Sequence, residues 1–216
     1  MMRDIRISIA SIVTFLLCIG VVMIYSSSGI YSLQELGDAA YYLNRHLMFL
    51  VIGTAMCCAA MMFDYRDLRK WAKPLLGIAF LLLVLVLIPG VGKSISGARR
   101  WFSFAGFSFQ PSEFAKLALL VYVADYLARK QNKITDFWTG FLPVIMVLGA
   151  MALLVVKQPD FGSSVLMGLI VMLLLFLSGA RLSHIGGIAL MALPVLILLV
   201  AKSPERMARI MAFLDP

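Results

Sequence analysis

Seven apolar runs, each about the length that crosses a bilayer as a helix, leave this chain few ways to fold. They are Ile7 to Tyr25, Leu47 to Phe63, Pro74 to Val91, Pro111 to Leu127, Phe137 to Val156, Phe161 to Leu177 and Ile185 to Ala201. Backbone N–H and C=O groups in hydrocarbon find no water to bond, so such runs are helices. The expected fold class is an all-α polytopic membrane protein, with residues 1–216 forming a single transmembrane domain. Composition agrees: 62% of residues are hydrophobic and 14% charged, against roughly 45–50% and about 25% in soluble domains. A water-soluble enzyme, a disordered chain and a disulfide-stapled secreted module are excluded. Cys18, Cys57 and Cys58 lie inside apolar runs with no ligand partner at metal spacing, so neither disulfides nor zinc are expected. The first run is too long for a cleaved signal, and six more follow it.

Orientation follows from Lys and Arg in the connecting segments. With the N-terminus in the cytoplasm, ten of them face inward, including the cluster Arg66, Arg69, Lys70 and Lys73, and eight face outward. Lys116 falls within a span. The small margin is informative, because the outer segments are more basic than topology requires. Loop solvation or anionic lipid would account for that; so would an outer site for an anionic substrate. Nothing in the pattern points to nucleic acid. Trp71, Trp101 and Trp138 each fall just beyond a span end, as in an interfacial aromatic belt. The 14 Met are scattered through the spans and read as packing.

The richest outer segment runs from Pro89-Gly90-Val91-Gly92 through Lys93, Arg99-Arg100-Trp101-Phe102 and Gly106 to Gln110-Pro111-Ser112-Glu113. Glycines permit tight turns and close backbone approach. Arginine presents a planar fork suited to phosphate oxygens. The same composition suits an amphipathic cap lying on the membrane. Pro111 is placed as the first residue of the fourth helix, and Glu113 in its first turn, favourable to the dipole. Lys116 lies about one turn deeper, where a charge is costly and faces a cavity or a partner. Glu113, at i, i+3, is the obvious partner.

A second Gln-Pro pair occurs at Lys157-Gln158-Pro159-Asp160-Phe161-Gly162. Two inward-running helices thus begin with Gln-Pro in the same outer layer, and helix N-termini attract anions. Asp160 has several open roles. It can cap the sixth helix, pair with Lys157 or a loop arginine, hold a divalent cation, or act as a base. Capping is the simplest.

Taken in order, Gly97-Ala98-Arg99-Arg100-Trp101, then Gln110-Pro111-Ser112-Glu113-Phe114-Ala115-Lys116, then Lys157-Gln158-Pro159-Asp160-Phe161-Gly162, and the closing Phe213-Leu214-Asp215-Pro216 resemble the signature of the SEDS family (shape, elongation, division and sporulation). The double arginine and the Tyr25-Ser26-Ser27-Ser28 ending of the first span resemble its FtsW/SpoVE branch more than RodA.

The resemblance implies a multi-pass peptidoglycan glycosyltransferase of the bacterial cytoplasmic membrane, active in cell division, sporulation or cell shape. Such proteins polymerise lipid II, an undecaprenyl-pyrophosphate-linked precursor, at the outer face. The implied partners are a class B penicillin-binding protein and other divisome or elongation proteins. The resemblance further implies about ten spanning helices and a divalent cation, Mg or Mn. It places the proposed catalytic Asp in a large outer loop beyond Pro216, so no catalytic residue is assigned here. The chain reads as an N-terminal fragment, or a truncated gene model, inactive without that loop. Arg99, Arg100 and Lys116 are the expected substrate-binding cations, Glu113 orients Lys116, and Asp160 shapes the site or helps place the divalent ion. A flippase for lipid-linked precursors and a scaffold for the penicillin-binding protein are the competing functions.

Overall fold

A computed structural model describes residues 2–95, 98–104, 107–201, 203 and 207. Two compact units appear, residues 1–64 and residues 65–216, and each is described by itself.

The first unit is a pair of helices, α1 (Met2–Leu36) and α2 (Tyr41–Met61). The first helix does not stop at Tyr25. It runs on through the serines to Leu36, 35 residues in all, or about 52 Å at 1.5 Å per residue. Hydroxyls inside it turn back on their own backbone: Thr14 donates to the Ala10 carbonyl and Ser28 to that of Ile24. That back-bonding removes a polar group from lipid without ending the helix. The turn to α2 is closed locally, with Ser32 donating to the Asp38 carbonyl and the Ala40 N–H donating to the Asp38 carboxylate. Both helices are long and apolar enough to span, and their most apolar stretches are unburied.

The second unit holds α3 (Tyr65–Leu85), a small antiparallel sheet, α4 (Pro111–Arg129), α5 (Leu142–Lys157), α6 (Phe161–Leu177) and α7 (Leu182–Ala201). All seven expected helices are present. α5, extended by the π-helical turn Phe137–Phe141, and α7 also meet the length and apolarity needed to span. α6 is apolar throughout but has 17 residues. Charges interrupt α3 and α4.

Buried positions follow the helical period. They are Ala115, Ala118, Leu119, Val123 and Leu127 on α4, Val144, Leu148, Met151 and Val155 on α5, and Ser163, Met167, Val171 and Leu175 on α6. Steps of three and four place each set on one face. Small residues at the contact, Ala79 of α3 with Ala115 and Ala118 of α4, let the backbones approach closely, as helices in lipid require. The opposite faces expose Leu117, Leu153, Leu166, Leu169 and Leu173, which suits hydrocarbon as the solvent.

Both ends of α3 also differ from expectation. α3 begins at Tyr65, so the basic cluster Arg66 to Lys73 and Trp71 are helical rather than loop. It ends at Leu85 instead of Val91, because Pro89 disfavours helical backbone at the residue before it. Residues 86–92 are turns, and Gly92 comes so close to the Val86 carbonyl that a Cβ would lie 2.2 Å from the oxygen. The sheet, β1 (Lys93–Ile95), β2 (Ala98–Phe104) and β3 (Phe107–Phe109), was not expected. Lys93 pairs with Trp101, and Phe102 with Phe109, in strand order β1-β2-β3.

Polar contacts fix the ends of the unit. Arg69 Nε donates to Asp125 Oδ1 at 2.8 Å, and Arg129 also pairs with the same carboxylate. The start of α3 therefore lies beside the end of α4, uniting two basic segments that the charge count put on one side. Between α4 and α5 the chain crosses itself at Gly140. A Cβ there would meet the Lys133 carbonyl oxygen at 2.1 Å and Ile134 Cα at 2.7 Å. Both are backbone atoms and cannot swing aside. Gly140→Ala is expected to destabilise the protein by about 1–3 kcal/mol, the usual cost of overpacking. Thermal unfolding of the purified protein in detergent checks this; an unchanged midpoint would mean that the crossing is looser than described.

Candidate functional site

At the other end of the second unit, α4 and α6 begin side by side, and one carboxylate joins them. Asp160 is the N-cap of α6. Its Oδ1 accepts the Ser163 N–H at 3.2 Å, satisfying one of the donors that a helix start leaves free. Its Oδ2 accepts from Gln110 Nε2 at 2.6 Å and from Ser112 Oγ at 2.9 Å. Gln110 is the N-cap of α4, with Pro111 as its first residue. Asp160, Ser112 and Ser163 are all buried. A buried carboxylate is costly unless its lone pairs are met; here three donors meet them, and bonds to a charged acceptor are the stronger kind.

Of the roles open to Asp160, capping is the one observed, and it extends to a second helix. The N-terminus of α6 is therefore occupied by a side chain and does not present an open anion site. Gln110, Ser112 and Ser163 were not singled out from the sequence; the repeated Gln-Pro was the available signal. The second glutamine acts differently. Gln158 is fully buried, and its Nε2 donates to the Leu83 carbonyl of α3 at 3.0 Å. That carbonyl lies where the helix is ending, since the Leu87 N–H bonds to Val84 instead. Gln158 thus caps the end of α3.

Lys116 sits one turn below Ser112 on the same face of α4, at i, i+4. Its ammonium donates to Glu113 Oε1 at 2.8 Å, as the i, i+3 spacing predicts. The pair is lopsided: the Lys116 side chain is 15% exposed and that of Glu113 is 61%. The cation lies in the protein and the carboxylate at its rim. A ligand anion could replace Glu113 at little cost, because partly exposed ion pairs are weak.

Arg99 and Arg100 lie on β2, which packs against α4. Successive strand residues point to opposite faces. Arg99 is exposed and Arg100 half-buried. Neither has an ion-pair partner among the described residues, and Arg100 Nε is buried without a hydrogen bond. A buried donor left unmade costs about 1–3 kcal/mol, which an anionic oxygen would recover. Trp101, next on this strand, is half-buried, whereas Trp138 is 72% exposed.

Gly97, Gly106 and the closing Phe213 to Pro216 fall outside the described residues. Among the described residues no three of His, Cys, Asp and Glu gather at metal-ligating range. Asp160 is committed to three donors and Glu113 to Lys116, so these residues do not by themselves fit a divalent cation.

Residues 7–216 match the family model for FtsW, RodA and SpoVE, described as cell cycle protein. The chain is 42% identical over 197 residues to a probable peptidoglycan glycosyltransferase FtsW of Trichlorobacter lovleyi, covering 91% of this chain and 52% of that one. It is 38% identical to stage V sporulation protein E of Bacillus subtilis, covering 95% of this chain and 56% of that protein. It thus spans about half the length of the curated relatives it matches. Among solved structures, the rod shape determining protein RodA of Thermus thermophilus superposes with a TM-score of 0.65 at 32% identity, covering 84% of this chain and 58% of that one. A structure titled for the coordination of polymerization and crosslinking by a peptidoglycan synthase complex gives 0.64 at 30% identity, covering 91% and 59%. A match along nearly the whole chain, in sequence and in fold, makes this a multi-pass membrane protein of the SEDS family, the family of FtsW, RodA and SpoVE.

Proposed function

We propose that this chain forms the phosphate-binding part of a peptidoglycan glycosyltransferase that polymerises lipid II at the outer face of the bacterial cytoplasmic membrane. The observation that carries the reading is the set of cations around the start of α4. Lys116 is mostly buried and held by an exposed Glu113, and Arg100 keeps a buried N–H with no partner. Cations are needed where negative charge grows on a departing pyrophosphate. Relatives described as probable peptidoglycan glycosyltransferases support the same activity.

In this reaction a base removes the proton of the acceptor sugar hydroxyl. The hydroxyl oxygen attacks the donor's anomeric carbon, and the bond to the lipid pyrophosphate breaks with its electrons passing to the phosphate oxygen. Arg99, Arg100 and Lys116 bind that pyrophosphate. Glu113 holds Lys116 until the substrate arrives, and Asp160 keeps the starts of α4 and α6 together. None of these residues is assigned as the base. The class B penicillin-binding protein is the proposed crosslinking partner, in keeping with the synthase complex whose fold this chain shares.

The orientation that this reading requires puts the N-terminus in the cytoplasm and β2 outside. Ser103 is exposed on β2, so Ser103→Cys is expected to react with an impermeant thiol reagent in intact spheroplasts, in a background lacking the native cysteines. Protection until lysis would reverse the topology. Arg100→Ala and Lys116→Ala, introduced into the full-length protein, are expected to cut lipid II polymerisation by about 10²–10³-fold each, as loss of one stabilising donor does. Lys116→Ala is the more severe, being less hydrated. Glycan ladders of normal yield from both variants would assign these cations to topology or lipid contact.

A further inference from the structure

A second group of cations lies at the far end of α4, away from Asp160. Lys73, Tyr122, Asp125, Tyr126, Arg129 and Lys130 line a pocket of about 250 Å³ between α3 and α4. Among the described residues its one acidic lining residue is Asp125, whose two oxygens are taken by Arg69 and Arg129. That leaves Lys73 and Lys130, both exposed and with no carboxylate partner among the described residues.

Two bland explanations cover part of this. Arg129 and Lys130 stand at the end of α4, where cations complement the helix dipole. Lys73 does not share that reason, because it lies in the first half of α3. Positive charge on one side also sets topology, yet topology needs no pocket.

We propose that this pocket binds the phosphate group of an anionic lipid headgroup. Its aromatic wall favours lipid over a soluble anion. Trp71, exposed two residues before Lys73, is an interfacial residue type. The rings of Tyr122 and Tyr126 stack 6.3 Å apart in the wall. The Tyr126 hydroxyl donates to the Thr139 carbonyl, which holds the ring in place. Basic pockets between spanning helices are suited to phospholipid headgroups. Lys73 and Lys130 supply the charge and Arg129, held by Asp125, a fixed fork. The acyl chains would lie along the apolar outer faces of the same helices.

The test is lipid retention by the purified full chain in neutral detergent, read by native mass spectrometry with phosphatidylglycerol, with phosphatidylcholine as control, and with inorganic pyrophosphate as a soluble competitor. Phosphatidylglycerol is expected to be retained in preference to phosphatidylcholine. Lys73→Ala and Lys130→Ala are each expected to weaken it about fivefold, from about 1 kcal/mol per cation near the surface. Lys73→Arg and Lys130→Arg should retain it, which separates charge from packing, and unchanged melting of the alanine variants excludes misfolding. Equal retention of the two lipids, or alanine variants that bind as the wild type does, would overturn the site. Displacement of the lipid by millimolar pyrophosphate, lost in the same variants, would keep a phosphate site and overturn the lipid as its occupant.

Discussion

Asp160 is the constraint on which one end of the second unit depends. One buried carboxylate accepts from the backbone of its own helix and from two side chains at the start of another. A second buried side chain, Gln158, lies two residues before it and ties the same junction to the end of α3. Three helix ends are thereby held by groups within a three-residue stretch of chain. In water such contacts would contribute modestly. Buried as they are, they answer a stricter demand, because polar groups there have no solvent to turn to. Removing one partner from a buried charged group costs far more than the contact is worth in net terms.

That frame gives Lys116 its setting. The lysine is one turn from Ser112, so the face of α4 that meets Asp160 is the face that carries the cation. The neighbouring strand β2 brings Arg99 and Arg100 to the same end. The opposite end of α4 is organised by another buried carboxylate, Asp125, with arginines as its partners in place of neutral amide and hydroxyl donors. The two ends therefore differ in kind: one carboxylate fixes helix starts, and the other neutralises part of a basic cluster. Outside these polar ends, helix contact rests on small residues and on stripes of three- and four-residue spacing.

Much of this was legible in the sequence because membrane spans are dictated by length and apolarity. Seven helices, Pro111 at the start of the fourth and the Glu113–Lys116 pair all follow from local rules of spacing. The boundaries that moved were those where a competing local effect acts. Serine back-bonding satisfies the hydroxyl of Ser28 and so lets α1 continue past Tyr25. The charges of Arg66 to Lys73 do not prevent helix, since lysine and arginine are good helix formers, so α3 starts early. The sheet was missed because two of its strands have only three residues and because the mixture of glycines, cations and aromatics was read as an amphipathic cap on the membrane. The triple hydrogen bond of Asp160 was beyond reach. It joins residues about 50 positions apart, and the repeated Gln-Pro signals two helix starts without saying that they touch.

The most direct measurement is a double-mutant cycle between Asp160 and Lys116, read as affinity for lipid II in nanodiscs, with melting of each variant as a control. Lys116→Ala removes the cation. Asp160→Asn keeps an acceptor for Ser163 but loses the oxygen that receives Gln110 and Ser112. If Asp160 positions the face that carries Lys116, the two losses are coupled by about 0.5–3 kcal/mol, and the double variant binds better than their sum. Strictly additive losses, with both variants folded, would contradict that dependence and make Lys116 independent of the frame.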